Sequence, residues 1–104
     1  MFDLTGKHII ITGASSGFGH HFAGVLARQG AAVTLGARRT DKIDARAAEL
    51  VAEGLKASGA ALDVRDKDSI VAFLDAAEAA HGPVDILINN AGVEAGPKTY
   101  LMID

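Results

Sequence analysis

Short β-branched runs alternate with amphipathic stretches along the chain as far as residue 89. His8-Ile9-Ile10-Ile11-Thr12 is almost continuously apolar and stops at Gly13, the pattern of a strand covered on both faces. Phe18, Phe22, Val25, Leu26 and Gln29 then recur at helical spacing, and Gly30 follows where a helix would close in a left-handed residue. The cycle repeats. Ala32-Val33-Thr34-Leu35-Gly36 reads as a second strand, and Ile43, Ala47, Leu50 and Val51 mark a helix closing near Gly54. A weaker third strand runs from about Ala60 to Val64, and Ile70, Phe73, Leu74 and Ala77 stripe a helix that stops before Gly82-Pro83. Val84, Ile86, Leu87 and Ile88 form a fourth strand ending at Asn89. Beyond Gly92 come two breakers, Gly96 and Pro97, and a tail to Asp104 without a period.

Strands that alternate with helices are parallel, because each helix carries the chain back before the next strand begins. The prediction is an α/β domain with a doubly wound parallel sheet of about four strands in the order 3-2-1-4 and three helices. With nothing beyond the fourth strand, Ile86-Leu87-Ile88 is expected to be an unpaired edge that recruits a second copy, giving a homo-oligomer.

Composition narrows the function. A length of 104 residues suits one domain, and 49% hydrophobic residues promise a packed core. Ten Lys and Arg against 13 Asp and Glu give a net charge of −3, which leaves no broad positive field for nucleic acid or an anionic membrane. The absence of cysteine excludes disulfides and thiolate metal sites. No signal peptide or membrane span is visible, so a soluble cytoplasmic protein is expected. Among the histidines, His20 and His21 are adjacent and point about 100° apart on a helix, which spoils joint ligation. His8 at a strand start and His81 in a last helical turn read as structural or surface residues, the latter partly cationic beside the helix dipole. No metal is expected.

The chemistry concentrates where the first strand meets the first helix, at Thr12-Gly13-Ala14-Ser15-Ser16-Gly17-Phe18-Gly19. Free backbone N–H groups and the positive end of a helix dipole at such a junction suit a diphosphate. Gly13 permits the turn, Gly17 a close approach of backbone to phosphate, and Gly19 tight packing of helix on sheet. Ser15 and Ser16 add hydroxyl donors. The spacing Gly-x-x-x-Gly-x-Gly differs from the usual dinucleotide fingerprint, and a Walker loop is excluded because no Gly-Lys-Ser/Thr follows. After the second strand stand Arg38 and Arg39, where an enzyme selective for NAD would place an acid; a guanidinium there grips a 2′-phosphate, so NADP(H) is preferred and NAD(H) remains possible.

The segment Thr12 to Gly19, Asp63-Val64 after the third strand and Asn89-Asn90-Ala91-Gly92 after the fourth together resemble the short-chain dehydrogenase/reductase family, classical type. The resemblance covers the chain to about Gly92. It implies a Rossmann-type fold, with residues 1–104 as its N-terminal, NAD(P)-binding part. It further implies that Asp63 contacts the adenine amino group, that Val64 borders the ring, and that Asn90, Ala91 and Gly92 line the ribose side of the cofactor. Asp63 read by itself is also a solvated acid or a cap for the following helix, and the asparagines are also turn formers. In that family a Tyr with Lys four residues on, and a Ser upstream, act on a carbonyl or secondary alcohol substrate. Here the single tyrosine is Tyr100, and four positions on lies Asp104. No catalytic residue is therefore assigned, Tyr100 reads as an anchor for the tail, and these 104 residues alone are expected to be inactive. The alternative is a non-catalytic dinucleotide-binding or interaction module.

Overall fold

The computed structural model describes residues 3–14, 17–93 and 96–103, with side chains as far as residue 89. The elements are β1 (His8–Thr12), α1 (Gly17–Arg28), β2 (Ala32–Ala37), α2 (Asp41–Ala52), β3 (Ala57–Ala61), α3 (Lys67–His81), β4 (Ile86–Val93) and β5 (Gly96–Ile103). The sheet order is β3-β2-β1-β4-β5. The first four strands are parallel and stand 3-2-1-4, as expected.

The β1 run explains the layers. Its side chains alternate between the two faces: Ile9 and Ile11 join Val33 and Leu35 under α1 and α2, while Ile10 turns to Leu62, Phe73 and Ala77 beneath α3. Both faces are covered, so the run has no polar alternation, and burial of each isoleucine contributes roughly 1.5–3 kcal/mol. Gly36 in β2 serves the α3 face, because a Cβ built there would lie 2.8 Å from the Phe73 ring.

Four details depart from the sequence reading. The first helix buries Gly19, Ala23, Gly24 and Ala27 rather than the large residues, and Phe18 is 51% exposed. Small residues let α1 lie close on the sheet, with Phe22 and Leu26 packed at its flanks. Val51 and Leu74, expected on apolar faces, are exposed. The third strand lies at Ala57–Ala61, earlier than expected, because its small residues carry no β-branched signal and its register is set by pairing with β2. Finally, Ile86-Leu87-Ile88 is not an unpaired edge: β5 runs antiparallel along β4, from Ile86 opposite Ile103 to Val93 opposite Gly96. The backbone groups of β4 require partners, and residues 96–103 supply them. Gly96 and Pro97 sit at the start of an outer strand, where proline is tolerated, so they do not break it.

The amino edge of the sheet is closed by a polar network around His8, which is 2% exposed. Its Nδ1 lies 2.9 Å from the Gly82 carbonyl and its Nε2 2.7 Å from Thr34 Oγ1. A carbonyl only accepts, so Nδ1 carries a proton, and in the neutral ring Nε2 accepts from the threonine hydroxyl. The His8 backbone N–H donates to Asp85 at 2.8 Å. His81 packs edge-on against His8 at 5.1 Å and meets Ser58 Oγ at 3.0 Å through Nε2. The expectation of a partly cationic His81 is corrected here. Burial, then His8, then Lys56 hold its pKa below the usual imidazole value, outweighing the helix end.

Candidate cofactor site

At the opposite, carboxyl edge, β1 turns out of the sheet at Gly13, whose φ of 65° is the left-handed region that favours glycine. Ala14, fully buried, ties the turn to the end of β2 by donating its N–H to the Gly36 carbonyl at 3.3 Å. Helix α1 then begins at Gly17. A Cβ at Gly17 would meet nothing within 4 Å, so packing among the described residues does not require glycine there. Gly19 is buried, in keeping with its expected packing role. Ser15 and Ser16 lie outside the described residues. Phe18 presents an exposed ring, 5.0 Å from that of Phe22.

Arg38 and Arg39 follow β2 directly and are exposed. Among the described residues neither guanidinium has a hydrogen-bond or ion-pair partner. Two cations therefore face solvent at the strand end. Asp63 stands beside them after β3. Arg65, which the sequence reading did not single out, holds its carboxylate from Nε at 3.1 Å and Nη2 at 3.3 Å, with the Arg65 backbone N–H at 3.0 Å. These Arg65 hydrogen bonds, and more weakly the charges of Arg65 and Arg38, hold the Asp63 carboxyl below its usual pKa. An ionised carboxylate has about four acceptor positions, so Asp63 retains capacity for a further donor. The cap of α3 is Asp66, which accepts from the Asp68 N–H, so Asp63 does not have that role. Val64 is 63% exposed beside it, an apolar surface without protein cover.

On the other side of the turn, the Thr12 hydroxyl donates to Asn89 Oδ1 at 2.7 Å and ties the ends of β1 and β4 together. Pairing of β1 with β4 ends at Thr12 opposite Asn89. Asn90, Ala91 and Gly92 therefore continue β4 beyond the reach of β1, over the carboxyl edge, where open α/β sheets bind ligands. Tyr100 is placed opposite Asn89 in β5. The topology thus brings the ends of β1, β2, β3 and β4, each with an expected site residue, to one edge.

Such an edge, with a glycine turn before a helix and two exposed arginines after β2, has relatives. A sequence profile described as short chain dehydrogenase matches residues 7–103. The chain belongs to the short-chain dehydrogenase family. It is 46% identical over 94 residues to gluconate 5-dehydrogenase of Gluconobacter oxydans (strain 621H), covering 90% of this chain and 37% of the relative. Among solved structures, a metagenomic short-chain oxidoreductase in complex with NADP superposes with a TM-score of 0.80 at 44% identity, over 88% of this chain and 41% of that one. An actinorhodin polyketide ketoreductase with NADPH gives a TM-score of 0.78 at 37% identity, over 84% of this chain and 33% of that one. This short-chain dehydrogenase chain spans less than half the length of these relatives. Among its described residues no group of His, Asp and Glu is arranged to hold a metal, and no helix is long and apolar enough to cross a membrane.

Proposed function

We propose that residues 1–104 form the dinucleotide-binding part of an oxidoreductase that moves hydride between NADP(H) and a carbonyl or secondary alcohol. The observation that carries the choice of cofactor is the pair of exposed, unpartnered guanidiniums at Arg38 and Arg39, immediately after β2. A 2′-phosphate meets there two forked donors that make no competing ion pair. Two similar structures hold NADP or NADPH, which supports the same reading.

The residues present fit the group. Gly13 turns the chain, Gly17 adds no side chain at the helix start, and backbone N–H groups between Gly13 and Gly19, with Ser15 and Ser16, hold the diphosphate. Asp63 accepts from the adenine amino group while Arg65 fixes its orientation, and exposed Val64 and Phe18 offer apolar cover. Asn90, Ala91 and Gly92 border the ribose. NAD(H) fits the same cradle without engaging the arginines. When bound, the nicotinamide supplies or takes up the hydride. The proton donor for the substrate oxygen belongs, in this reading, to the part of the protein that corresponds to the remaining length of the relatives. Residues 1–104 carry no cysteine, which suits a reducing cytoplasm. Pairing between copies, if through a sheet edge, uses β3 or β5 rather than β4.

Calorimetric titration of Arg38→Ala tests the proposal. NADPH affinity is expected to fall about tenfold to a hundredfold, while NADH affinity changes less than about twofold. Equal losses for the two cofactors would refute the role of Arg38.

A further inference from the structure

A second recess lies on the far edge of the sheet from the dinucleotide. It is a cleft of about 470 Å³ lined by Gly6, Gly30, Ala32 and Ala80 with Lys7, Lys56 and His81. Its cations are set by the sheet. The Lys7 carbonyl accepts the Ala32 N–H at 2.9 Å, and the Lys56 carbonyl accepts the Val33 N–H at 3.0 Å, so the two lysine backbones flank the start of β2 on either side. Lys56 is two residues before Ser58, whose hydroxyl meets His81, so period-two alternation sends Lys56 to the face on which α3 ends. His81 then enters from α3, with Nε2 held by Ser58 and no partner for Nδ1 among the described residues.

No acid lines the cleft. The Asp85 carboxylate is engaged by the His8 backbone N–H, and the charged groups that act on the His81 ring are His8 from β1 and Lys56 from the approach to β3. On its own helix, Glu78 is one turn back, and its carbonyl accepts the Gly82 N–H. The recess therefore gathers two ammonium groups and an imidazole without a counterion, in a protein whose net charge is −3. The lining otherwise consists of glycine and alanine, which offers no aromatic surface for a base and no deep apolar pocket.

We infer that this amino-edge cleft binds a small oxyanion, a phosphate ester or a carboxylate, between Lys7, Lys56 and His81. The anion is held by the two lysines as point charges and by a ring N–H of His81, and its arrival favours the imidazolium form. Binding is consequently tighter in weakly acidic than in weakly alkaline solution. Burial first, and after it the charges of His8 and Lys56, hold the His81 pKa below its ordinary value in this cleft.

The test is a proton NMR titration of the His81 ring, assigned with His81→Asn, in sodium chloride and at matched ionic strength in inorganic phosphate or succinate. The site predicts that the His81 midpoint moves upward in phosphate or succinate and not in chloride. A larger rise with phosphate assigns phosphate esters as the class, and a larger rise with succinate assigns carboxylates. Lys7→Gln and Lys56→Gln, both at surface positions that leave the fold intact, should each weaken the anion about tenfold, and Lys56→Arg should retain it. No movement with either anion overturns the inference, as does a movement undiminished in both glutamine variants.

Discussion

The two edges of one sheet are built to opposite ends. At the amino edge, both ring nitrogens of His8 have protein partners, the Asp85 carboxylate takes the His8 backbone N–H, and Ser58 meets His81. At the carboxyl edge, Arg38 and Arg39 make no hydrogen bond or ion pair among the described residues, a Cβ at Gly17 would meet nothing within 4 Å, and Phe18 and Val64 are exposed. The difference teaches where the strand-locking contacts and the dinucleotide site reside. Polar groups satisfied inside the fold lock strands and helices together, whereas groups left unsatisfied at an exposed edge keep their interaction energy for a ligand. Asp63 combines both behaviours: Arg65 holds it in place without using all its acceptor positions.

Changes at the two edges should therefore separate folding from binding. The largest loss of stability is expected for His8→Ala, about 3 kcal/mol in urea unfolding, because a cavity forms and Thr34 and the Gly82 carbonyl lose their partner. Dinucleotide affinity of the fraction that remains folded should stay unchanged. Gly17→Val makes the opposite case. With nothing within 4 Å of the new Cβ, stability should change by less than about 1 kcal/mol, yet cofactor affinity should fall more than about tenfold, measured by calorimetry. A Gly17→Val protein that binds normally would break the comparison. Thr12→Val crosses the two categories, since its bond to Asn89 joins β1 to β4 beside the cradle; a loss of about 1 kcal/mol in unfolding is expected, with a weaker cofactor complex.

The smallest effect is a pH dependence. His81 has a folded pKa below its ordinary value of 6.5, so the unfolded chain binds more protons in the window beneath 6.5. Its contribution is present in full above pH 6.5 and is lost as pH falls through the folded value. In chloride buffer the melting temperature of the wild-type protein should decline more steeply below pH 6.5 than that of His81→Gln. An identical slope in both would remove His81 from the network.

Much of this was legible along the chain, for reasons that are local. The isoleucine run of β1 is apolar whichever face it meets, and Ile43, Ala47 and Leu50 repeat at helical spacing, so both elements announce themselves. The glycine turn before α1 is visible because only glycine settles readily at the φ of Gly13. The helix α1 misled, since its buried face is made of Gly19, Ala23 and Ala27, residues too small to register as hydrophobic beside Phe18 and Phe22. The third strand was placed late for a related reason, and β5 was missed because an outer strand is defined by its neighbour rather than by its own period. Arg65 carried one signal that was passed over, its position two residues after Asp63, within reach of that carboxylate.

Residue order alone determined the alternation of strands and helices, the parallel sheet and the glycine-rich junction, because periodicity and backbone freedom are properties of neighbours in the chain. Only the tertiary structure decided which side chains end up with partners. His8 meets Gly82 across 74 residues and Thr12 meets Asn89 across 77, while Arg38 makes no hydrogen bond or ion pair among the described residues. Those outcomes depend on which strand ends the sheet brings together, and proximity in space across such separations leaves no mark on the spacing of residues along the chain.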